Sequence, residues 1–244
     1  MDVGSSAPER EVLKAAAAAR ALELVRPGMI VGLGSGSTAR YFLEGVGRLV
    51  AQGVSITGVP TSRATAERAR QLGIQITDAA MHAIDLAVDG ADEVDARLNL
   101  IKGRGGALTR EKLVAMAART FVVIVDSSKL VERLGRGALP VEVVPFLWRE
   151  TAARLRALGA TCQLRRRGSD AYLTDNNNLI LNLTFAEPIA DLAQLDARIK
   201  GTTGVVEHGL FLGLTAACIV ADKDGVHVIG SLADLARATH AAGP

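Results

Sequence analysis

The side chains of this chain best equipped for proton transfer are crowded into one stretch. The apolar run Leu86-Ala87-Val88 leads into Asp89-Gly90-Ala91-Asp92-Glu93-Val94-Asp95, and shortly after comes Lys102-Gly103-Arg104-Gly105-Gly106-Ala107-Leu108-Thr109-Arg110-Glu111. Carboxylates at the end of a strand, a lysine in a Gly-rich turn and a glutamate at the start of a helix supply acid, base and cation beside backbone that can approach a small anion. Asp89 and Asp92 are expected at the carboxyl end of a strand, the edge of an α/β sheet where ligands bind. Carboxylates near one another raise each other's pKa, so one can exchange protons with hydroxyl groups near neutrality. Lys102 suits a developing oxyanion. Glu93 and Asp95 read as solvated turn residues or caps. For Glu111, a plain dipole-stabilising role in a helix that Thr109 caps competes with the role of base. The capping-box spacing from Thr109 falls on Lys112, so that motif does not account for Glu111.

A second anion site is expected at Gly32-Leu33-Gly34-Ser35-Gly36-Ser37-Thr38, which follows a strand and precedes a helix. Backbone N–H groups and hydroxyls at a positive helix end hold phosphate or carboxylate. The run lacks the Gly-Lys-Ser/Thr of a Walker loop, and a tight turn with Ser37 or Thr38 as N-cap is the simpler alternative. Thr61-Ser62-Arg63-Ala64-Thr65 follows the next strand and either lines the same crevice or caps a helix. Asp126-Ser127-Ser128-Lys129 ends another strand, with Lys129 a candidate phosphate partner or a surface residue.

The elements that must position these groups follow from periodicity. An amphipathic helix is expected from Glu9 to Val25, stopped by Pro27-Gly28, then strands at Met29–Leu33, Val54–Val59, Ile84–Val88 and Phe121–Val125, with helices at Arg63–Leu72 and Arg110–Arg119. This alternation implies an α/β fold: a Rossmann-like parallel sheet domain over residues 1–134 and 208–244. Residues 135–207 carry strand-like Leu139–Val144, a helix from Pro145 to Leu158, strands Thr161–Arg165 and Leu179–Leu183, a helix Ile189–Ile199 and a last strand at Val205-Val206. That β-α-β-β-α-β order is a split βαβ, ferredoxin-like α+β domain, inserted into the larger one. Leu214–Val220, a turn at Asp222–Gly225, Val226–Ile229 and a helix after Ser231 return to the large domain.

Composition narrows the partners. A net charge of +2 and 3% aromatic residues argue against nucleic acid, which needs a basic field and stacking surfaces. Arg165-Arg166-Arg167, the one basic block, reads as a solvated turn. The Ala-rich stretch from Val12 to Val25 is broken by Lys14, Arg20 and Glu23, which suits neither a membrane span nor a signal peptide, so a soluble cytoplasmic protein is expected. Cys162 and Cys218 have no metal or disulfide spacing, and His82, His208, His227 and His240 are scattered, so no metal site is expected.

Seven segments in order resemble ribose-5-phosphate isomerase of the A type, from about Val12 to Ile229. They are Gly-Leu-Gly-Ser-Gly-Ser-Thr ending at Thr38, Asp89-Gly-Ala-Asp-Glu, Lys102-Gly-x-Gly-Gly-Ala-Leu-Thr-Arg-Glu111-Lys, Asp126-Ser-Ser-Lys129, Pro140-Val-Glu-Val-Val-Pro145, Thr174-Asp-Asn-x-Asn and Gly204-Val-Val-Glu-x-Gly-Leu-Phe211. The resemblance implies a cofactor-free aldose–ketose isomerase that interconverts D-ribose 5-phosphate and D-ribulose 5-phosphate through an enediolate, in the pentose phosphate pathway. It implies Glu111 as proton acceptor, with Asp89, Asp92 and Lys102 as the other catalytic positions. Ser35, Gly36, Ser37, Thr38, Gly90, Ala91, Gly103, Arg104, Gly105, Lys129 and Lys14 are implied to bind the substrate, and a homodimer or homotetramer is implied as the assembly. Three positions depart from the family pattern: Arg104 and Asn177 stand where glycine is usual, and His208 where asparagine is common. An amino-sugar phosphate deaminase would carry an Asp-Gly-His run, which is missing, and a sugar-phosphate sensor would not need Glu111, Asp89 and Lys102 together.

Overall fold

The fold rests on short apolar strands that are buried on both faces and so must lie inside a sheet covered by helices. A computed structural model describes residues 7–78 and 84–232; His82, His240 and the helix expected after Ser231 lie outside the described residues. The chain runs α1 (Ala7–Leu22), β1 (Ile30–Leu33), α2 (Ser37–Ala51), β2 (Thr57–Pro60), α3 (Arg63–Gln71), β3 (Gln75–Ile76), β4 (Ile84–Asp89), β5 (Glu93–Val94), β6 (Leu100–Ile101), α4 (Leu108–Ala117) and β7 (Ala118–Asp126). It continues through β8 (Leu139–Val143), α5 (Trp148–Arg156), β9 (Ala160–Leu164), β10 (Arg166–Arg167), β11 (Asp170–Ala171), β12 (Leu179–Phe185), α6 (Leu192–Lys200), β13 (Val205–His208), β14 (Leu210–Phe211), β15 (Ala217–Asp222) and β16 (Gly225–Gly230). The described residues within 1–90, 113–129 and 214–244 form one compact unit, and residues 91–112 and 130–213 a second.

The first unit holds a seven-stranded sheet ordered β16-β15-β7-β4-β1-β2-β3, parallel except for the antiparallel β15–β16 pair. Alternate strand residues Val31, Leu33, Leu86, Val88, Val122 and Ile124 pack with Ala17, Ala18 and Ala21 of α1, Phe42 and Val46 of α2 and Ala69 of α3. On the other face Gly32 leaves room for α4, since a Cβ there would lie 2.6 Å from Val114 Cγ1. The strand order reverses between β1 and β4: the chain builds outward to β3, then returns to build the other half from β4. In open α/β sheets the crevice at the carboxyl ends beside such a reversal is the ligand site, and here it lies between Leu33 and Asp89.

The second unit carries a four-stranded antiparallel sheet ordered β13-β8-β12-β9, with α5 and α6 as its crossovers. This is the split βαβ arrangement expected from the sequence. The unit also takes in residues 91–112, 130–134 and 208–213, outside the expected 135–207, because β5, β6 and β14 form a three-stranded sheet whose Ile101 and Leu210 join this unit's core. The helix expected from Pro145 begins at Trp148 instead, because Leu147 adopts a left-handed conformation with φ 51° and ends the preceding turn.

Candidate active site

In the first unit, the loop after β1 and the last residue of β4 are locked together. Asp89 is buried, and its Oδ1 accepts the N–H of Gly90 at 2.7 Å and of Ser35 at 3.1 Å. Gly34 permits this approach, since a Cβ there would run into the Asp89 carboxylate. The Ser35 hydroxyl lies 2.8 Å from those of Thr61 and Ser62 and 3.0 Å from that of Thr65, so the second polar turn joins the first. Ser62 also caps α3 by accepting the Thr65 N–H, and both readings of that turn hold.

The N-cap of α2 is Gly36, at φ +102°, rather than Ser37 or Thr38. No side chain caps this helix, so its first-turn N–H groups suit an anion at the positive end of the dipole. Thr38 is buried, and a Cβ at Gly90 would sit 3.9 Å from its Cβ, so the turn after β4 passes close to the start of α2. Lys129 ends the short turn Ser127–Lys129 after β7, half-buried. Lys14 lies on α1, where its ammonium bonds Glu11 at 2.7 Å, and that carboxylate also takes the Tyr41 hydroxyl.

In the second unit the structure brings Lys102 and Glu111 together. Both side chains are buried, 3% and 7% exposed, with Nζ 3.5 Å from Oε1. Lys102 follows β6, and its N–H bonds the Gly209 carbonyl at 2.9 Å. Gly103 and Gly106 take positive φ, and Arg104 between them does not, so the arginine in a usual glycine position brings no backbone strain. The Arg104 N–H donates to Asp92 Oδ2 at 2.9 Å, and Asp92 in turn donates its N–H to Ile101. Ala91 and Gly105 belong to these two turns. Asn177 is left-handed at φ 61°, as its exchange with glycine requires.

Three sequence expectations fail here. Glu93 is neither a solvated turn residue nor a cap: it is buried in β5, accepts the N–H groups of Gly135, Arg136 and Gly137, and pairs with the Arg104 guanidinium at 2.6 Å. Its donors lie more than forty residues downstream, beyond any local spacing rule. Asp95, by contrast, is a turn residue as expected, accepting from Arg97 and Asn99. Arg165 is not part of a solvated turn either. It donates to the Gly103 and Arg104 carbonyls, both at 3.0 Å, and to Asn182 at 2.7 Å, bracing the Gly-rich loop while Arg166 and Arg167 remain exposed. Thr109 lies inside α4 and gives its hydroxyl to Glu142 at 2.6 Å instead of capping the helix.

Glu93→Gln keeps the shape but loses the charge that gathers these donors. Hydrogen bonds to a charged buried group justify an expected loss of about 1–3 kcal/mol, read as a lower denaturant midpoint with an unchanged slope; an unchanged midpoint would refute the assignment.

His208 is wholly buried, with Nε2 3.4 Å from Asp196 and 3.7 Å from Glu207. Burial, reinforced by the Lys112 charge and by Lys200, pushes its pKa down from 6.5 to about 3 against the pull of Glu207. Burial works to raise Glu207, but hydrogen bonds from Lys112, Lys200 and the His208 N–H bring it from 4.5 down to about 2. Both folded values lie below the unfolded ones, so the unfolded chain binds more protons as the solution is acidified. Stability is complete above pH 6.5, declines below it as unfolded His208 protonates, and declines further below 4.5 as Glu207 joins, until the folded values are passed. Each group contributes at most about 1.4 kcal/mol per pH unit. In thermal scans His208→Asn is expected to flatten the fall of Tm between pH 6.5 and 4.5; parallel curves for the two proteins would count against it.

Comparison with known proteins follows the same lines. The family described as Ribose 5-phosphate isomerase A (phosphoriboisomerase A) matches residues 57–225. A ribose-5-phosphate isomerase A of Chloroflexus aurantiacus is 52% identical over 227 residues, 91% of this chain and 95% of that protein. One from Gloeobacter violaceus is 50% identical over 222 residues, 90% of this chain and 96% of its own length. Among solved structures, ribose 5-phosphate isomerase from Plasmodium falciparum superposes with a TM-score of 0.88 at 40% identity, covering 91% of this chain and 99% of its own. A D-ribose-5-phosphate isomerase in complex with phospho-erythronic acid gives 0.87 at 39% identity, covering 91% and 99%. With its parallel sheet, its split βαβ unit and its buried Lys102–Glu111 pair, the chain belongs to the ribose 5-phosphate isomerase A family.

Proposed function

We propose that this enzyme interconverts D-ribose 5-phosphate and D-ribulose 5-phosphate, in the pentose phosphate pathway, by carrying a proton between C2 and C1 through an enediolate. The observation that carries this mechanism is the buried pair of Glu111 and Lys102, a proton acceptor with an ammonium 3.5 Å away. Glu111 takes the C2 proton of the open-chain aldose, and the electron pair moves onto the former C1 carbonyl oxygen. Lys102 holds the negative charge there, where low dielectric makes one fixed cation count for more than in water. A proton then passes from the C2 oxygen to the C1 oxygen, and Glu111 returns its proton to C1, leaving a ketone at C2. Asp89 and Asp92 open the sugar ring and move protons between oxygens.

The uncapped α2 N-terminus with Ser35, Gly36, Ser37 and Thr38 suits the anionic ester. Gly90, Ala91, Gly103, Arg104, Gly105, Lys129 and Lys14 complete the proposed binding set. The phospho-erythronic acid complex of a relative, a phosphorylated sugar acid, supports a phosphopentose as ligand. Every proton in this scheme moves among these side chains and the atoms of the substrate, so the scheme calls for no metal, organic cofactor, nucleic acid or membrane. No helix among the described residues is long and apolar enough to cross a membrane; the cytoplasmic location proposed here is supported by the bacterial relatives. Exposed Val12, Leu113 and Met116 are surfaces of the kind a second subunit covers, which supports a homodimer or homotetramer.

A coupled assay with ribose 5-phosphate in excess chelator tests the proposal. Ribulose 5-phosphate is expected to form at the rate seen without chelator; a rate that collapses on chelation and returns with added metal would refute the cofactor-free scheme.

A further inference from the structure

The mechanism needs Glu111 held at a fixed angle, yet it leaves unused two carboxylates that bond α4, Glu142 fully buried and Glu207 half-buried. We infer that Glu142 on β8 and Glu207 on β13 form a two-point clamp on the first turn of α4 that aims the Glu111 carboxylate. Both are positioning residues acting through Thr109 and Lys112, and the inference rests on Glu111 being the base.

The clamp depends on an irregularity in the sheet. Val205 pairs with Val143, but Glu207 rather than Val206 pairs with Glu142, and His208 follows opposite Val141. One extra residue, Val206, therefore bulges from β13. In regular pairing Val206 would oppose Glu142, and Glu207 would oppose Val141. Residues directly opposite in an antiparallel pair project from the same face, so the bulge brings two carboxylates side by side. Bulges near active sites commonly re-aim a side chain. Like charges in this position repel unless each is met by its own donors.

Each is so met, and each by a residue of α4. Fully buried Glu142 collects the hydroxyls of Thr109 at 2.6 Å and Thr174 at 2.9 Å, and the amides of Asn176 at 3.1 Å and Asn178 at 2.9 Å. Asn177, between those two asparagines, is left-handed. Glu207 takes the ammonium groups of Lys112 at 2.7 Å and Lys200 at 2.5 Å, and the His208 N–H at 2.9 Å. Thr109 and Lys112 are three residues apart and so share a face of the helix, while Glu111 projects from a different side of the same turn. With that face fixed at two points, the turn can neither roll nor slide.

A second connection reaches the other member of the pair. The Lys112 ammonium lies 5.1 Å from the centroid of the Phe211 ring, and the Lys102 ammonium lies 5.7 Å from the same centroid. Glu207 thus holds one of the two cations that share Phe211, and the other is the ammonium beside Glu111.

The experiment is steady-state kinetics of the full-length enzyme with ribose 5-phosphate and its C2-deuterated form. The variants are Glu207→Gln, Lys112→Met, their double, and Thr109→Val, which removes one hydroxyl and keeps the side-chain volume. Misplacement of a base by a fraction of an ångström to an ångström predicts that kcat falls about 10- to 100-fold for the Glu207 and Lys112 variants and about fivefold for Thr109→Val. KM is expected to stay within about twofold. The primary isotope effect on kcat is expected to rise above that of the wild type, because proton abstraction alone is slowed. The double variant is expected to be no slower than the worse single, and Lys112→Arg to recover most of the rate. A merely structural role lowers Tm or the active fraction and leaves the isotope effect alone, so an unchanged isotope effect overturns the clamp. Should Glu207→Gln or Lys112→Met not fold, Thr109→Val decides: wild-type kcat and isotope effect overturn the inference. Glu111→Gln separates the two layers. Turnover retained in that variant defeats the base assignment, whereas an inactive Glu111→Gln beside clamp variants of wild-type behaviour defeats the clamp alone.

Discussion

Glu111→Gln is expected to lower kcat about 10³- to 10⁴-fold, the upper range for loss of a general base, with KM changed little. The amide has the same shape as the carboxylate but cannot take a proton from carbon. The first turn of α4 is expected to persist, since its contacts to Glu142 and Glu207 run through Thr109 and Lys112, so thermal unfolding stays cooperative. Two measurements check this: ketose formation, and exchange of the C2 hydrogen of ribose 5-phosphate with deuterated solvent. Both must fall together. Exchange that continues while net conversion stops would place the base elsewhere.

Lys102→Met is the second large effect. Removing one preorganised donor from a developing oxyanion lowers kcat by about 10²- to 10³-fold in comparable sites, and methionine keeps the length and apolar stem of lysine within the buried site. KM is expected to change little, because the interaction is made mainly in the transition state. A wild-type kcat in Lys102→Met would show that the ammonium 3.5 Å from Glu111 does not hold the oxyanion.

The sequence is legible where chemistry and topology are local. The strands leading to Gly34 and Asp89 are short apolar runs bounded by turn residues, and the lysine, Gly-rich turn and glutamate sit close together in the chain. Their interior place in the sheet follows from burial on both faces. What escapes local reading is the destination of charged side chains whose partners are distant. Glu93 looks like one more acid in an acidic turn, and only the folded chain brings it the N–H groups of Gly135 to Gly137. Arg165 sits in a basic triplet that looks solvated, and its targets at Gly103 and Arg104 lie some sixty residues upstream. The one available signal was Glu142, a lone charge amid Leu139, Val141 and Val143, an arrangement that costs free energy unless the carboxylate is fully hydrogen-bonded. The compact second unit extends beyond residues 135–207 for a similar reason: β6 pairs with β14, more than a hundred residues further along the chain.

The two left-handed glycines that bracket the turn after Lys102 also govern how freely this enzyme can drift. Because Gly103 and Gly106 absorb the unusual torsions, the intervening arginine keeps an ordinary backbone, and its guanidinium reaches the buried Glu93. A change at that middle position costs the Glu93 contact but no backbone strain, whereas at Gly103 or Gly106 a Cβ would crowd Leu108 or Tyr172 and face the strained torsion as well.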